Sequence, residues 1–304
     1  RAAEIGAAGF HNLLMIGPPG AGKSMIAKRI PGILPPLTVE ESLEVTSVYS
    51  VAGLLSEEKN LITVRPFQNP HHSISRSALL GGSAKPRPGM ISLAHRGVLF
   101  LDELPEFQRY LLDSMRQPLE ERAIVIARSA GNVVYPANFM LVGAMNPCPC
   151  GYFPNRNKCR CTQQQIQRYL GKVSGPILDR MDLFAELEPV ELGHLCRERE
   201  SEDSGSIRRR VQNARRRQQQ RFAGSKIRFN GEMDSVEVEK YCVLEGPEQA
   251  YMEKIYQSME LSARAYHRVL KVARTIADLA DADRIEKEHL LEAVCYRPSG
   301  TYWK

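Results

Sequence analysis

The sequence predicts an α/β protein: a doubly wound parallel sheet followed by a smaller all-α domain. Three stretches carry that expectation. HNLLMIG (11–17) is a short apolar run that enters the Gly/Pro-rich turn PPGAG and then SMIAKRI, a strand–turn–helix unit. GVLFLDE (97–103) is a continuous apolar run closed by two carboxylates, which suits a central parallel strand whose C-terminal end faces a ligand. LSARAYHRVLKVARTIADL (261–279) places apolar residues at 261, 265, 269, 272, 276 and 279, one face of a helix.

Between these anchors the elements follow in order. The first helix is expected to stop at Pro31, and the Pro-rich ILPPLT leads to an acidic helix from Val39. The stretch from about Leu54 to Pro88 is dense in Gly, Pro, Asn and His and reads as loop and hairpin. A single helix, FQRYLLDSMRQPLE, is expected after the 97–103 strand. AIVIARSAGNVVYPANF alternates on both sides of a Ser-Ala-Gly tip and predicts a β-hairpin, and FMLVGAMN predicts another buried strand. Strands alternate with helices to about residue 188, and everything beyond the polar SEDSGS reads as helix. The expected domains are therefore residues 1–188, the α/β core, and 189–304, a linker with a helical domain.

Composition sets the class. The chain has 304 residues, 43% hydrophobic and 25% charged, the proportions of a globular protein rather than a disordered one. The net charge of +6 permits a polyanionic partner without requiring one. No apolar run approaches the roughly 20 residues that a helical membrane span needs, so no membrane association is expected. Glu4, His11 and Asn12 interrupt the N-terminal apolar stretch, which argues against a signal peptide and for a cytoplasmic protein. With no initiator Met, the sequence reads as beginning inside a longer gene product or after a removed tag.

Gly17-Pro18-Pro19-Gly20-Ala21-Gly22-Lys23-Ser24 satisfies the phosphate-loop pattern between a strand and a helix. In such a loop the backbone N–H groups wrap the phosphates, Lys23 reaches the outer ones, and the Ser24 hydroxyl ligates Mg²⁺, so ATP with Mg²⁺ is the expected ligand. Asp102 and Glu103 end the next strong strand, where the first would hold the Mg²⁺ shell and the second would polarise an attacking water. Read alone, two acids there could cap the following helix; the loop upstream favours the catalytic reading. Asn146 ends another buried strand and could orient that water, or form a turn before Pro147. Arg180 and Arg264 could each supply charge to phosphate oxygens.

Cys148, Cys150, Cys159 and Cys161 crowd together, whereas Cys196, Cys242 and Cys295 are scattered. Clustering of this kind favours a metal over a disulfide framework, and four thiolates in a polar loop could close a tetrahedral structural Zn²⁺ site. Free thiols or a disulfide are the alternatives. Lys85 and Arg87, in SAKPRPG, are candidates for phosphate contact with a nucleic acid. The arginine-rich helix IRRRVQNARRRQQQRF reads as a solvated face rather than a nucleic-acid surface. Adjacent His71 and His72 are expected to point in different directions and to belong to the loop.

The ordered set GPPGAGKS, RPFQNPHHSIS, LLGGSAKPRPGMISLAHRGVLFLDELPEF, AMNPCPCG, SGPILDRMDL and SARAYHRVLKVARTIADL resembles the magnesium-chelatase-like AAA+ ATPases of the YifB/ComM type over nearly the whole chain. The resemblance implies that Asn146 is sensor 1, Arg180 a finger reaching a neighbouring protomer's nucleotide, and Arg264 the sensor 2 of a helical lid. It implies a ring of six subunits and an additional N-terminal domain of Lon-protease or ribosomal-S5 type. The family's competence member is associated with DNA branch migration, which implies a DNA-moving ATPase; a chelatase-like motor with a protein client is the alternative. The hairpin AIVIARSAGNVVYPANF also resembles the pre-sensor hairpin of MCM helicases, with Arg128 in the place of a basic residue there, which implies a DNA contact. A solvated hairpin residue is the competing reading of Arg128.

Overall fold

The computed structural model describes residues 1–55, 60–82, 87–128, 131–189, 202–298 and 302. Among the described residues the strands are β1 (Leu13–Ile16), β2 (Phe67–Gln68), β3 (Val98–Leu101), β4 (Ala123–Arg128), β5 (Gly131–Pro136), β6 (Met140–Met145) and β7 (Leu183–Glu186). Five of them form one sheet in the order β2-β3-β6-β1-β7, and every ladder in it is parallel. Among the described residues β4 and β5 pair only with each other, as the expected antiparallel hairpin.

Side-chain alternation along the strands divides the core in two. Leu13, Met15, Val98, Phe100, Met140, Val142 and Leu183 face one way, and Leu14, Ile16, Leu99, Leu101, Leu141 and Met145 the other. On the first face lie α1 (Ala2–Gly9) and α2 (Lys23–Ile33), while α3 (Val39–Ala52) begins with a capping box in which Thr38 and Glu41 exchange hydrogen bonds and meets the edge strand where Gln68 Nε2 donates to Tyr49 Oη at 3.0 Å. The second face is covered by α4 (Arg76–Leu80), α5 (Met90–Leu93), α6 (Arg109–Ser114), α7 (Arg116–Glu121), α8 (Gln163–Leu170) and α9 (Gly175–Leu178). Helices on both faces of a parallel sheet make the doubly wound α/β fold that the sequence predicts.

The remaining helices are α10 (Ser204–Arg221), α11 (Ser235–Tyr241), α12 (Gly246–Ser258), α13 (Ala263–Leu279) and α14 (Lys287–Cys295). They form the expected all-α domain, packed on one another, and its core is continuous with that of the α/β part: Val211, Ala214, Val269, Ala273 and Ile276 join the same apolar cluster as Ile5, Ala8 and Phe10. Phe229 is fully buried, stacked on Phe10 with ring centroids 4.8 Å apart, and the Arg215 guanidinium lies 4.1 Å from its centroid. No described helix is long and apolar enough to cross a membrane.

Several local expectations are corrected. α2 runs through Pro31 to Ile33, because a proline in the last turn costs one hydrogen bond and leaves the preceding turns intact. The helix expected after β3 is two, α6 and α7, broken at Met115; Pro118 falls in the first turn of α7, where no N–H is needed. The 54–88 stretch contributes the parallel edge strand β2, the helix α4 and one antiparallel bridge, Gly81 to Pro88. The arginines of α10 are largely engaged inside the molecule: Arg221 binds Asp278 at 2.5 Å, Arg217 binds Asp281 at 2.7 Å and also Asp283, and Arg210 binds Glu4 at 2.5 Å. α1 was not anticipated at all; its Ala and Gly residues allow the close helix contacts that a strong apolar period would otherwise announce.

Candidate functional site

β1 ends at Ile16, and Gly17 to Gly22 turn the chain into α2. Gly22 takes φ +84° and Gly20 φ +78°, conformations that an L side chain would strain. The turn leaves the first amides of α2 facing outward, a region of positive potential at the C-terminal edge of the sheet. Lys23 folds back over it. Its Nζ donates to Gly17 O at 2.6 Å, Pro18 O at 2.9 Å and Asn146 Oδ1 at 3.1 Å. Burial pulls the Lys23 pKa below its ordinary value, against the opposing pull of Asp102.

The Ser24 hydroxyl donates to Asp102 Oδ2 at 2.7 Å. Asp102 follows β3 directly, and its other oxygen accepts from the Glu103 N–H at 3.0 Å. Two hard oxygen ligands meet here, a donor set suited to Mg²⁺. Glu103 adopts φ +52°, and its side chain is 63% exposed. Asn146 follows β6, the strand between β3 and β1. Gly17–Ser24, Asp102, Glu103 and Asn146 therefore gather at one edge of three adjacent strands.

Three residues near Glu103 escaped the sequence reading. His72 Nδ1 lies 3.6 Å from Glu103 Oε2, and the rings of His71 and His72 lie side by side, centroids 4.0 Å apart and planes tilted by 35°, rather than pointing apart. The QNPHHS run was the only signal. Arg168 and Lys172 line, with Glu103, Glu106, Asn146 and Tyr169, a hollow of about 520 Å³; Lys172 pairs with Glu106 at 3.0 Å. Their amphipathic placement on and after α8 gave no functional hint.

Arg180 and Arg264 are not part of this gathering. Arg180 precedes β7, and its carbonyl accepts from Asn12 Nδ2 at 2.9 Å, which fixes it at the opposite, N-terminal edge of the sheet. The intervening strands are four residues long, about 13 Å. There Arg180 pairs with Glu120 and donates to Pro176 O at 3.0 Å. Burial and then repulsion from Arg116, Arg264 and Arg268 hold its pKa below the ordinary arginine value, so Arg264, in the first turn of α13, belongs to this second, cationic edge. Asp182 organises it. Its Oδ2 accepts from Asn12 N at 3.0 Å and its Oδ1 lies 3.7 Å from Arg268 Nε.

The Sγ atoms of Cys148, Cys150, Cys159 and Cys161 all lie within 4.8 Å of one another, and all four cysteines are free thiols. The cluster could hold a metal ion. Arg128 ends β4 opposite Gly131, and its side chain lies outside the described residues, as does all of Lys85; Arg87 is exposed next to the Gly81–Pro88 bridge.

Residues 1–195 match the family described as magnesium chelatase, subunit ChlI, and residues 201–297 its C-terminal counterpart. The chain is 47% identical over 298 residues to the uncharacterised protein YifB of Salmonella typhimurium, covering 98% of this chain and 58% of that protein. It is 47% identical over 300 residues to the competence protein ComM of Haemophilus influenzae, covering 98% and 57%, and 43% identical over 303 residues to the uncharacterised protein Rv2897c of Mycobacterium tuberculosis, covering 98% and 59%. The chain thus spans somewhat under three fifths of the length of these curated relatives. With the strand order, the phosphate loop and these matches together, the chain belongs to the magnesium-chelatase ChlI-type family of AAA+ proteins, alongside YifB and ComM.

Proposed function

We propose that the chain is the motor of a ring-forming, cytoplasmic ATPase that couples ATP hydrolysis to movement of DNA. The observation that carries the ATPase reading is the convergence of Lys23 on Asn146 and of Ser24 on Asp102, contributed by three adjacent parallel strands. The phosphate loop and Lys23 bind the triphosphate, exchanging the loop carbonyls that Lys23 now holds for phosphate oxygens. Mg²⁺ at Ser24 and Asp102 would supply charge neutralisation to the phosphates. Glu103 takes the proton of the attacking water, and Asn146 orients that water. An apolar hollow beside the loop, lined by Ala2, Ala3, Ile26, Leu187 and Tyr296, suits the base.

Arg180 and Arg264 act on the neighbouring subunit's nucleotide. Their shared place at the sheet edge opposite their own phosphate loop supports this reading and calls for a closed, head-to-tail assembly, which we take to be a hexamer. DNA as client is supported by the name of the competence relative and by the β4–β5 hairpin, which leads directly into β6 and so into Asn146. Arg128 at the hairpin end, with Lys85 and Arg87, would grip phosphates in the pore. The test is the ATPase rate of assembled rings without DNA and with single-stranded, duplex and branched DNA. Stimulation by DNA supports the reading. Unstimulated turnover in assembled rings favours a protein client.

A further inference from the structure

The loop between β6 and α8, residues 146–162, is the longest described connection within the α/β part that carries no secondary structure. It is nonetheless closely shaped. Gly151 N–H donates to Cys148 O at 3.0 Å, Cys159 N–H to Asn155 O at 2.8 Å, and Asn157 N–H to Asn155 Oδ1 at 3.0 Å. Turns of this kind do not by themselves bury enough apolar surface to order a loop of this length. The four cysteines converge inside it, Cys148 and Cys159 buried, Cys150 and Cys161 half-buried.

Their spacing is that of a metal site. Four sulfurs around a tetrahedral ion at about 2.3 Å stand about 3.8 Å apart. The distances here are 3.3 Å for Cys148–Cys150, 3.8 Å for Cys148–Cys159 and 3.6 Å for Cys150–Cys159. A disulfide would need about 2.05 Å. The Phe153 N–H also donates to Cys148 Sγ at 3.4 Å, an amide contact that stabilises a thiolate.

The cluster touches the phosphate loop at two points. Asn146, two residues before Cys148, receives Lys23 Nζ. Gly151, one residue after Cys150, takes φ +84° and packs so closely that a Cβ there would lie 2.5 Å from Pro19 Cδ. We infer that Cys148, Cys150, Cys159 and Cys161 bind one Zn²⁺ as thiolates, and that the ion sets the shape of the nucleotide-binding loop through Asn146 and Gly151. The four thiols release their protons on binding, and no electron transfer is involved. The second half of this inference rests on the nucleotide-site reading above; the first does not.

The test uses the purified chain. Elemental analysis of protein prepared without added metal should give about one zinc per chain, as the four-ligand site requires. Replacement of that zinc by Co²⁺ should produce the intense visible d–d bands and near-ultraviolet sulfur-to-metal charge-transfer band of a tetrahedral tetrathiolate. Stripping the ion with a chelator under reducing conditions should weaken binding of a fluorescent ATP analogue by about tenfold, equivalent to about 1.4 kcal/mol, and added Zn²⁺ should restore it. Cys159→Ser with Cys161→Ser should reproduce the loss; if that variant does not fold, the cobalt spectrum of the unaltered chain still decides the site. Zinc-free protein in which these four cysteines titrate as free thiols, or form disulfides, overturns the metal site. Zinc bound without effect on analogue affinity overturns the coupling. A chain that holds zinc yet binds no analogue at all refutes the nucleotide reading instead.

Discussion

Lys23 Nζ and Asn146 Oδ1 stand 3.1 Å apart, so the first residue of α2 and the residue that follows β6 are hydrogen-bonded across the mouth of the phosphate loop. The ammonium group has two other partners, both backbone carbonyls of the loop itself. If a triphosphate binds as proposed and takes the ammonium, it must also release Asn146, and the amide would then register the arrival of the outer phosphate.

Lys23→Ala is expected to weaken ATP binding about 10- to 100-fold, the loss of a charge-assisted hydrogen bond of about 1.5–3 kcal/mol. Glu103→Gln should leave binding intact and lower turnover by about 10² to 10⁴, trapping ATP on the protein. Equilibrium binding and single-turnover hydrolysis separate the two. Normal steady-state hydrolysis by Glu103→Gln would sink the assignment of the base.

The trans reading predicts that Arg180→Ala binds ATP normally and hydrolyses it about a thousandfold more slowly. Mixed with excess Lys23→Ala subunits, it should regain part of its activity, since those subunits still present Arg180. Asp182→Asn, which loosens the tie between Arg268 and the start of β1, should slow turnover between roughly tenfold and a hundredfold without affecting nucleotide affinity. Its deficit should be rescued by the same partner subunits. Mixed rings that form and show no recovery would contradict a shared site.

If the hairpin grips DNA, Arg128→Ala should weaken binding of all sequences alike and reduce the slope of log affinity against log salt by about one. Lys85→Ala should act in the same direction, more mildly. Basal ATP hydrolysis should survive in both, read beside DNA affinity in assembled rings. Unchanged affinity and stimulation in both would turn attention to a protein client.

His95 gives a pH dependence. It is 3% exposed; its Nδ1 accepts from Asn138 N–H at 3.0 Å and its Nε2 faces Glu44 Oε2 at 3.2 Å. Burial, reinforced by Arg96, pushes its pKa down to about 4, while the unfolded chain keeps a value near 6.5. Between those values the unfolded state takes up a proton that the folded state does not, so stability is full above about pH 6.5 and falls as the pH drops towards 4. The loss attributable to this group is about 3 kcal/mol. Denaturant midpoints measured from pH 7 to 4 should fall steeply in the parent chain and more gently in His95→Gln.

What could be read in advance was what lies close along the chain. Gly17 to Ser24 announce their shape because a turn and a helix start are made by consecutive residues, and the alternation in 123–136 announces its hairpin in the same way. Asp102 was legible because an apolar run must end somewhere and two acids marked the end. The contact of His72 with Glu103 was not, since it depends on how the 54–88 segment folds back over β3. The place of Arg180 away from its own phosphate loop was implied by the resemblance and not by the residues: it follows from strand direction, since a parallel sheet puts residues before β7 and after β1 at opposite edges. The arginines of α10 misled for a related reason, because their acidic partners at 278–283 lie some sixty residues further on.

The apolar cluster that joins Ile5, Ala8 and Phe10 to Val211, Phe229 and Ile276 runs continuously from the α/β part into the helical one among the described residues. Cutting the chain at residue 188 would uncover Phe10 and one face of the sheet rather than release a finished domain, and the whole chain should melt in a single cooperative transition. A hinge there would have to tear side chains out of a packed interior; if the ring proposed above forms, the give that its motor needs falls instead at the borders between subunits. In such a ring each subunit would turn as one wedge, and the stroke would be measured in the angle between wedges.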